Sequence, residues 1–391
     1  MKNILKVLIL CISFYNLNAQ IAKIPFELVD DLMYVKVKIN DNSKENVFVF
    51  DTGATADLLD SSIAKKLGLK PNYKQNTTGA GGTKSYDVIL SQKLSLNNSI
   101  TVDNTHLVLS DLSRIIRRSG KNFDGIIGYS LLKNHVTKID YDNHEILVYN
   151  KIDDLSTNGY KPISFNFGNG IPIPQFDIDI TLRNSESFTG KVFFDSGAGL
   201  TMLMNSPFAA SNEISNKVKK RLISKSENLH GESTSEKIAI KSMNIGGYQL
   251  SEMPINIAHD KNGVSSYKDY LGILGGAVIS KFNVILDYNT STLYLKPNKN
   301  YTKPFDFPMS GISLIKTEDG KIIIDRVEKT SNAYKKGIRK GDELLSVNND
   351  SSGNIQNYRA YLKQKNGTVE LTYSGIKGKL KTSTIKLIRL L

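Results

Sequence analysis

The sequence predicts a mainly β protein of two similar lobes followed by a small α+β module. Three observations carry this. The stretch "VFVFDTGATADLL" (Val47 to Leu59) returns about 144 residues later as "KVFFDSGAGLTML" (Lys191 to Leu203), so an apolar strand twice enters an Asp-(Thr/Ser)-Gly-Ala turn. Downstream, "FDGIIGYSLLKNHVTKIDYDNHEILVY" (Phe123 to Tyr149) lies without a gap on "YLGILGGAVISKFNVILDYNTSTLYLK" (Tyr270 to Lys296), matching Gly125 with Gly272, Gly128 with Gly275 and Asp140-Tyr141 with Asp287-Tyr288. Such self-similarity marks a duplicated unit. After Pro297 the texture changes to a polar, proline-containing connection and then a new order of elements.

In chain order, residues 1–19 read as a secretory signal: Lys2 and Lys6 precede an apolar stretch too short to span a bilayer, and Ala19 stands at a cleavage point. Cys11 is the only cysteine and follows Leu8-Ile9-Leu10 rather than a small residue, which does not favour a lipid anchor. Removal of the signal leaves no cysteine for a disulfide or a thiol nucleophile, and no integral membrane span is expected in the mature chain. Export places the protein in the periplasm, at the cell envelope or outside the cell.

Residues 20–152 form the first expected lobe and 153–298 the second, each of ordinary domain size. Their segments are short, β-branched and alternating, as in "MYVKVKI", "DVILSQKLSL" and "THLVLS", with Gly, Asn and Asp between them, a pattern of hairpins and meanders. Short helices are expected at Ser61 to Leu69, opened by a capping serine and closed at Gly68, and at Ser211 to Ile223, where the spacing is amphipathic. Residues 299–304 are the expected linker. Residues 305–391 read as β-β-α-β-α-β-β, and residues 301–391 hold 17 Lys+Arg against 9 Asp+Glu, a large part of the net charge of +13. A solvated basic face accounts for that excess, with attraction to an acidic partner as the sharper alternative. No basic motif interleaved with aromatics argues for nucleic acid.

A lone Asp-Thr-Gly says little, because turns use these residues routinely. Here each copy is followed some 80 residues on by two apolar residues and a Gly: Ile126, Ile127 and Gly128, then Ile273, Leu274 and Gly275. With these the chain resembles the aspartic proteases, one signature per lobe, which implies two pseudo-symmetric β-barrel lobes of the retropepsin or pepsin kind. The resemblance implies that Asp51 and Asp195 meet at the lobe junction as a catalytic pair sharing a proton. One carboxylate would take a proton from a water while the other donates to a peptide carbonyl. Gly53 and Gly197 would let backbone pass close to the carboxylates, and Thr52 and Ser196 would tie the turns together. Ala54 and Ala198 are of the retroviral type, where pepsin-like enzymes often carry Ser or Thr. With one hydroxyl donor fewer, a carboxylate ionises less readily, so activity is expected at mildly acidic to neutral pH. Gly79, Ala80, Gly81 and Gly82 stand where retroviral-type enzymes carry a Gly-rich flap, and such a tip could close over a peptide. The corresponding place in lobe two, around Gly231, has a single Gly and leaves a second flap in question.

Other chemistries fit less well. "FDSGAG" brushes against the serine-protease nucleophile segment, but Phe194 replaces the glycine that helps shape an oxyanion hole, and no His stands in a triad setting. The five histidines show no metal-ligand spacing, and "GAGG" lacks the Lys-Ser/Thr of a phosphate loop, so neither metal nor cofactor is expected. A non-catalytic peptide-binding protein on the same fold is the alternative from another class.

"DRVEKTSNAYKKGIRKGDELLSVNN" (Asp325 to Asn349) resembles the central segment of PDZ domains. The resemblance places a peptide-binding loop at Gly311, Ile312, Ser313 and Leu314, where a C-terminal peptide could add as a strand, with "IQNYRAYLKQ" lining the other side. A domain that only props the lobes is the bland alternative. The partners expected are therefore a peptide or protein substrate and a C-terminal peptide ligand.

Overall fold

The strands that deliver the two Asp turns, Glu45–Phe50 and Ser187–Asp195, carry large apolar side chains that are almost fully buried: Phe48, Phe50, Phe193 and Phe194. In the computed structural model, which describes residues 20–79, 82–228, 231–375 and 378–391, each becomes a central strand of one lobe. The expected signal, residues 1–19, lies outside the described residues, as do Ala80 and Gly81.

The sheet of lobe one runs in the order Glu27–Val29, Leu32–Ile39, Glu45–Phe50, Gly125–Ile127, Asp57–Asp60, Ile100–Ser110, Gly82–Leu96 and Tyr73–Gly79. A second pairing, Leu32–Ile39 with Gly82–Leu96, rolls it into a barrel. Lobe two repeats the plan: Gln175–Leu182, Ser187–Asp195, Gly272–Gly275, Met202–Met204, Met253–Ala258, Gly231–Ile245 and Leu222–Asn228, rolled up by pairing of Gln175–Leu182 with Gly231–Ile245.

A six-stranded sheet joins the lobes, in the order Gln20–Pro25, Glu145–Tyr149, Val136–Asp140, Phe282–Asp287, Thr292–Pro297 and Lys161–Ser164. Its order is the same from either end. The middle contact pairs Lys138 with Ile285, which are each other's counterparts in the internal repeat, so the pseudo-two-fold axis passes between them. Apolar residues of both lobes and of this sheet share one core.

Two helix expectations need correction. The first helix, Ser61–Lys66, is capped by the Asp60 carboxylate, which accepts from Ser62 N–H, and not by a serine. The second splits into Ser206–Ser211 and Ile214–Lys217, because Glu213 takes a left-handed conformation and Val218 is already extended. The chain from Leu222 onward is strand, not helix.

The C-terminal module is a five-stranded antiparallel sheet, Ile312–Lys316, Ile322–Val327, Glu343–Val347, Thr368–Ser374 and Leu380–Lys386, with helices Asn332–Lys335 and Ile355–Lys363. Its core, around Ile324, Tyr358 and Leu371, also takes in Leu222 and Ala239 of lobe two. The connection before it is tied down: Lys281 Nζ donates to the carbonyls of Asn300 and Lys303, and Phe305 packs in the core of the lobes. No helix among the described residues is long and apolar enough to cross a membrane.

Candidate active site

The two Asp turns meet at the lobe junction. Thr52 N–H donates to Ser196 Oγ at 3.0 Å, and Ser196 N–H donates to Thr52 Oγ1 at 2.9 Å. Thr52 Oγ1 in turn donates to the Phe194 carbonyl at 2.8 Å, and Ser196 Oγ donates to that of Phe50 at 3.4 Å. Each hydroxyl thus bonds the strand leading into the opposite turn. All of these groups are buried, so losing any of them leaves polar atoms without partners.

This lock sets Asp51 beside Asp195, and the two carboxyl groups hydrogen-bond to each other. Asp51 Oδ1 accepts from the N–H of Gly53 at 2.7 Å and of Gly197 at 3.1 Å. Asp195 Oδ1 accepts from the N–H of Gly197 and of Ala198, both at 2.9 Å. Each glycine stands against the carboxylate of the other lobe, where a Cβ would collide with it. Ala54 and Ala198 contribute no hydroxyl.

Burial raises both carboxyls above the ordinary carboxylate range, and Asp195 is raised further by the negative charge of Asp51. A coupled pair of this kind holds one proton between its members at a pH where isolated carboxyls have lost theirs.

Gly128 and Gly275 pass beneath the turns. A Cβ on Gly128 would strike the Asp51 carbonyl, and one on Gly275 the carbonyls of Leu200 and Ala198. The parallel pairings of Phe50 with Ile127 and of Asp195 with Gly275 bring these segments there, and Asp51 N–H donates to the Ile127 carbonyl at 2.9 Å. Ile126, Ile127, Ile273 and Leu274 are buried beside them.

Sequence reasoning missed Asp57. It is buried in lobe one, where it accepts from Thr105 Oγ1 at 2.7 Å, Ser130 Oγ at 2.8 Å and Gly128 N–H at 3.3 Å, fixing the glycine under Asp51. An acidic residue inside the apolar run from Ala56 to Leu59 was the available signal. Six residues after Asp195, the same place holds Thr201, whose hydroxyl donates to the Pro254 carbonyl.

Two hairpins flank the junction, and they match. Tyr73–Gly79 pairs with the start of Gly82–Leu96 from Tyr73↔Val88 to Gly79↔Gly82, and Leu222–Asn228 pairs with Gly231–Ile245 from Leu222↔Lys237 to Asn228↔Gly231. The second hairpin forms in spite of its single glycine. Each tip reaches the opposite lobe: a Cβ on Gly82 would stand 3.9 Å from Asn262 Cβ, and one on Gly231 would stand 4.0 Å from an Arg114 guanidinium nitrogen.

In the C-terminal module Gly311 takes a left-handed φ of 73°, and the Ile312 N–H donates to Ser310 Oγ at 3.2 Å. Ile312–Lys316, which includes Ser313 and Leu314, is the edge strand of its sheet. Lobe one's helix Ser113–Ser119 packs against that strand and also against Leu222–Asn228 of the second hairpin. Arg359 joins these parts by donating to the carbonyls of Leu314, Arg118 and Ser119. Among the described residues no group of three or more His, Cys, Asp or Glu is gathered that could hold a metal ion.

Two segments of the chain match known family models. Residues 35–131, which span lobe one from its second strand through the Asp51 turn to Gly128, match the family model described as aspartyl protease, and residues 323–372 match that of the PDZ domain. No curated protein matches the chain. The chain therefore carries an aspartyl protease domain in its first lobe, repeated in plan by the second, and a PDZ domain at its C-terminus.

Proposed function

We propose that the protein is an aspartic endopeptidase in which Asp51 and Asp195 activate a water molecule against a peptide bond. The observation that carries this is the hydrogen-bonded carboxyl pair, held by Thr52 and Ser196 and sharing the backbone N–H groups of Gly53, Gly197 and Ala198. The ionised member takes a proton from water as it attacks, and the protonated member donates to the carbonyl oxygen. The resulting tetrahedral diol collapses when a proton passes to the leaving amine, with no covalent intermediate.

The raised carboxyl pKa values support work at mildly acidic to neutral pH, because the shared proton survives there. The hairpins ending at Gly79 and Gly82 and at Gly231 act as a pair of flaps over an extended peptide, excluding water from the site. The PDZ domain binds a peptide or partner terminus through Gly311 to Leu314, and residues 1–19 direct export to the periplasm, envelope or exterior.

The test is turnover of a mixed peptide library by the mature chain and by its Asp51→Asn and Asp195→Asn variants. Cleavage by the parent and its loss in both variants is expected. Unchanged turnover in either variant overturns the mechanism, and binding without cleavage by the parent makes the protein a non-catalytic peptide binder.

A further inference from the structure

Helix Ser113–Ser119 of lobe one stands between the Asp51 side of that lobe and the PDZ domain. Its Ile115 and Ile116 pack with Tyr34, Ala54 and Phe123, the apolar cluster that borders the Asp51 turn. Its Arg114 lies at the tip of the second hairpin, where a Cβ on Gly231 would stand 4.0 Å from the guanidinium. Its last residues enter the PDZ domain between the edge strand Ile312–Lys316 and helix Ile355–Lys363.

The fit there is made to the backbone. Arg359 Nη1 donates to the Ser119 carbonyl at 2.7 Å, its Nη2 donates to the carbonyls of Arg118 and, at 3.1 Å, Leu314, and Gln356 Nε2 donates to the Ser119 carbonyl at 3.0 Å. One guanidinium thus bonds the edge strand and the segment that covers it, and bonds from a charged donor are among the stronger ones. The helix ends at Gly120, whose left-handed φ of 73° lays the chain on Ile355, too close for a Cβ. Arg118 adds an ion pair with Asp325 at 2.8 Å, with both side chains largely buried. Arg359 also donates to Asp30 at 2.9 Å. The turn holding Asp30 abuts that of Asp195: a Cβ on Gly199 would stand 3.3 Å from the Asp30 carbonyl oxygen and 3.6 Å from the Leu32 side chain.

We propose that the groove of the PDZ domain takes this chain's own residues 118–120 as its occupant, and that Arg359 is a positioning residue for peptide cleavage. The proposal rests on the endopeptidase reading. From the PDZ domain Arg359 fixes helix Ser113–Ser119, which carries the apolar wall beside Asp51 and meets the second hairpin, and the Asp30 turn, which abuts that of Asp195. It touches neither carboxyl, and it holds the walls between which a substrate lies. A peptide docking along Ile312–Lys316 must first displace residues 118–120.

The test uses the full mature chain and a quenched fluorogenic peptide, taken from the mixed library, that the parent cleaves. Arg359→Ala is expected to raise KM at least about tenfold while changing kcat less than about threefold, because it loosens the walls and spares the carboxyl pair. The milder Gln356→Ala, which removes one bond to the Ser119 carbonyl, is expected to raise KM about threefold. Arg389→Ala breaks the ion pair with Glu252 that ties the PDZ domain to lobe two at another point, and is expected to leave both constants unchanged. The limbs of the pH profile are expected to stay in place in all three variants. Unaltered KM in Arg359→Ala or Gln356→Ala, a loss confined to kcat, or an equal rise of KM in Arg389→Ala overturns the proposal and leaves the endopeptidase reading intact. No cleavage of any library peptide by the parent overturns both.

Discussion

The two lobes share a strand order, a turn and a hairpin of the same length, yet they are built differently underneath. Lobe one holds its glycine beneath the Asp51 turn with a buried carboxylate, Asp57, that gathers three donors. In lobe two Gly275 N–H donates to the Thr201 backbone carbonyl, and the Thr201 hydroxyl donates to the Pro254 carbonyl. The hairpins differ as well: that of lobe two has its base residue Leu222 in the core of the PDZ domain and its Ile223 carbonyl bonded by Arg326. What is equal lies at the shared carboxyls, and what differs lies one layer out. Symmetry is kept where the two halves meet and relaxed where each supports only its own half.

The comparison breaks most visibly if the two Asp residues prove unequal. Asp51→Asn and Asp195→Asn should each lower turnover by about a thousandfold or more, to similar residual rates, in steady-state assays on a cleaved library peptide. The same variants test the proton bookkeeping. Both carboxyls are raised in the folded protein, so it binds more protons than the unfolded chain, and stability falls as pH rises from about 4 through the folded pKa values. Removing a carboxyl removes that loss. Asp195→Asn should therefore melt above the parent at pH 7 by about 1.4 kcal/mol per unit of pKa elevation, and the difference should vanish below about pH 3.

The layer beneath should be unequal. Asp57→Ala leaves Thr105, Ser130 and Gly128 N–H without their acceptor and should cost about 3 kcal/mol, whereas Thr201→Val should cost about 1 kcal/mol, both measured by urea unfolding. The lock between the turns should be nearly even again, with Thr52→Val and Ser196→Ala each losing about 1–2 kcal/mol together with activity. Arg326→Ala should speed hydrogen exchange in Leu222–Asn228 about tenfold and leave Tyr73–Gly79 unchanged, since only the second hairpin is held by that guanidinium. The smallest effect is expected from Ala54→Ser, whose added hydroxyl should move the acid limb of the pH profile down by about half a unit.

The repeat and the Asp turns were legible because they depend on local requirements: a glycine where a carboxylate or a carbonyl passes too close for a Cβ, and a hydroxyl where the turns touch. The PDZ element order was legible through its alternating runs and the segment from Asp325 to Asn349. The second hairpin was not, because its register is fixed along the whole length of its strands and not at its tip. Asp57 escaped notice because its partners Thr105 and Ser130 are 48 and 73 residues away. The broken helix at Glu213 shows the limit of periodicity: the spacing was amphipathic, but the chain turns there to begin the hairpin.

The palindromic six-stranded sheet has a wider consequence. Because its central contact pairs Lys138 with its own counterpart, either half of the chain presents an edge that fits a copy of itself. Two identical halves would have to meet at cellular concentration and would change together with every mutation. Joined covalently, they meet at an effective concentration set by the tether, and each can drift alone. That freedom is what allows one half to keep a buried acid while the other acquires a neighbour at its hairpin.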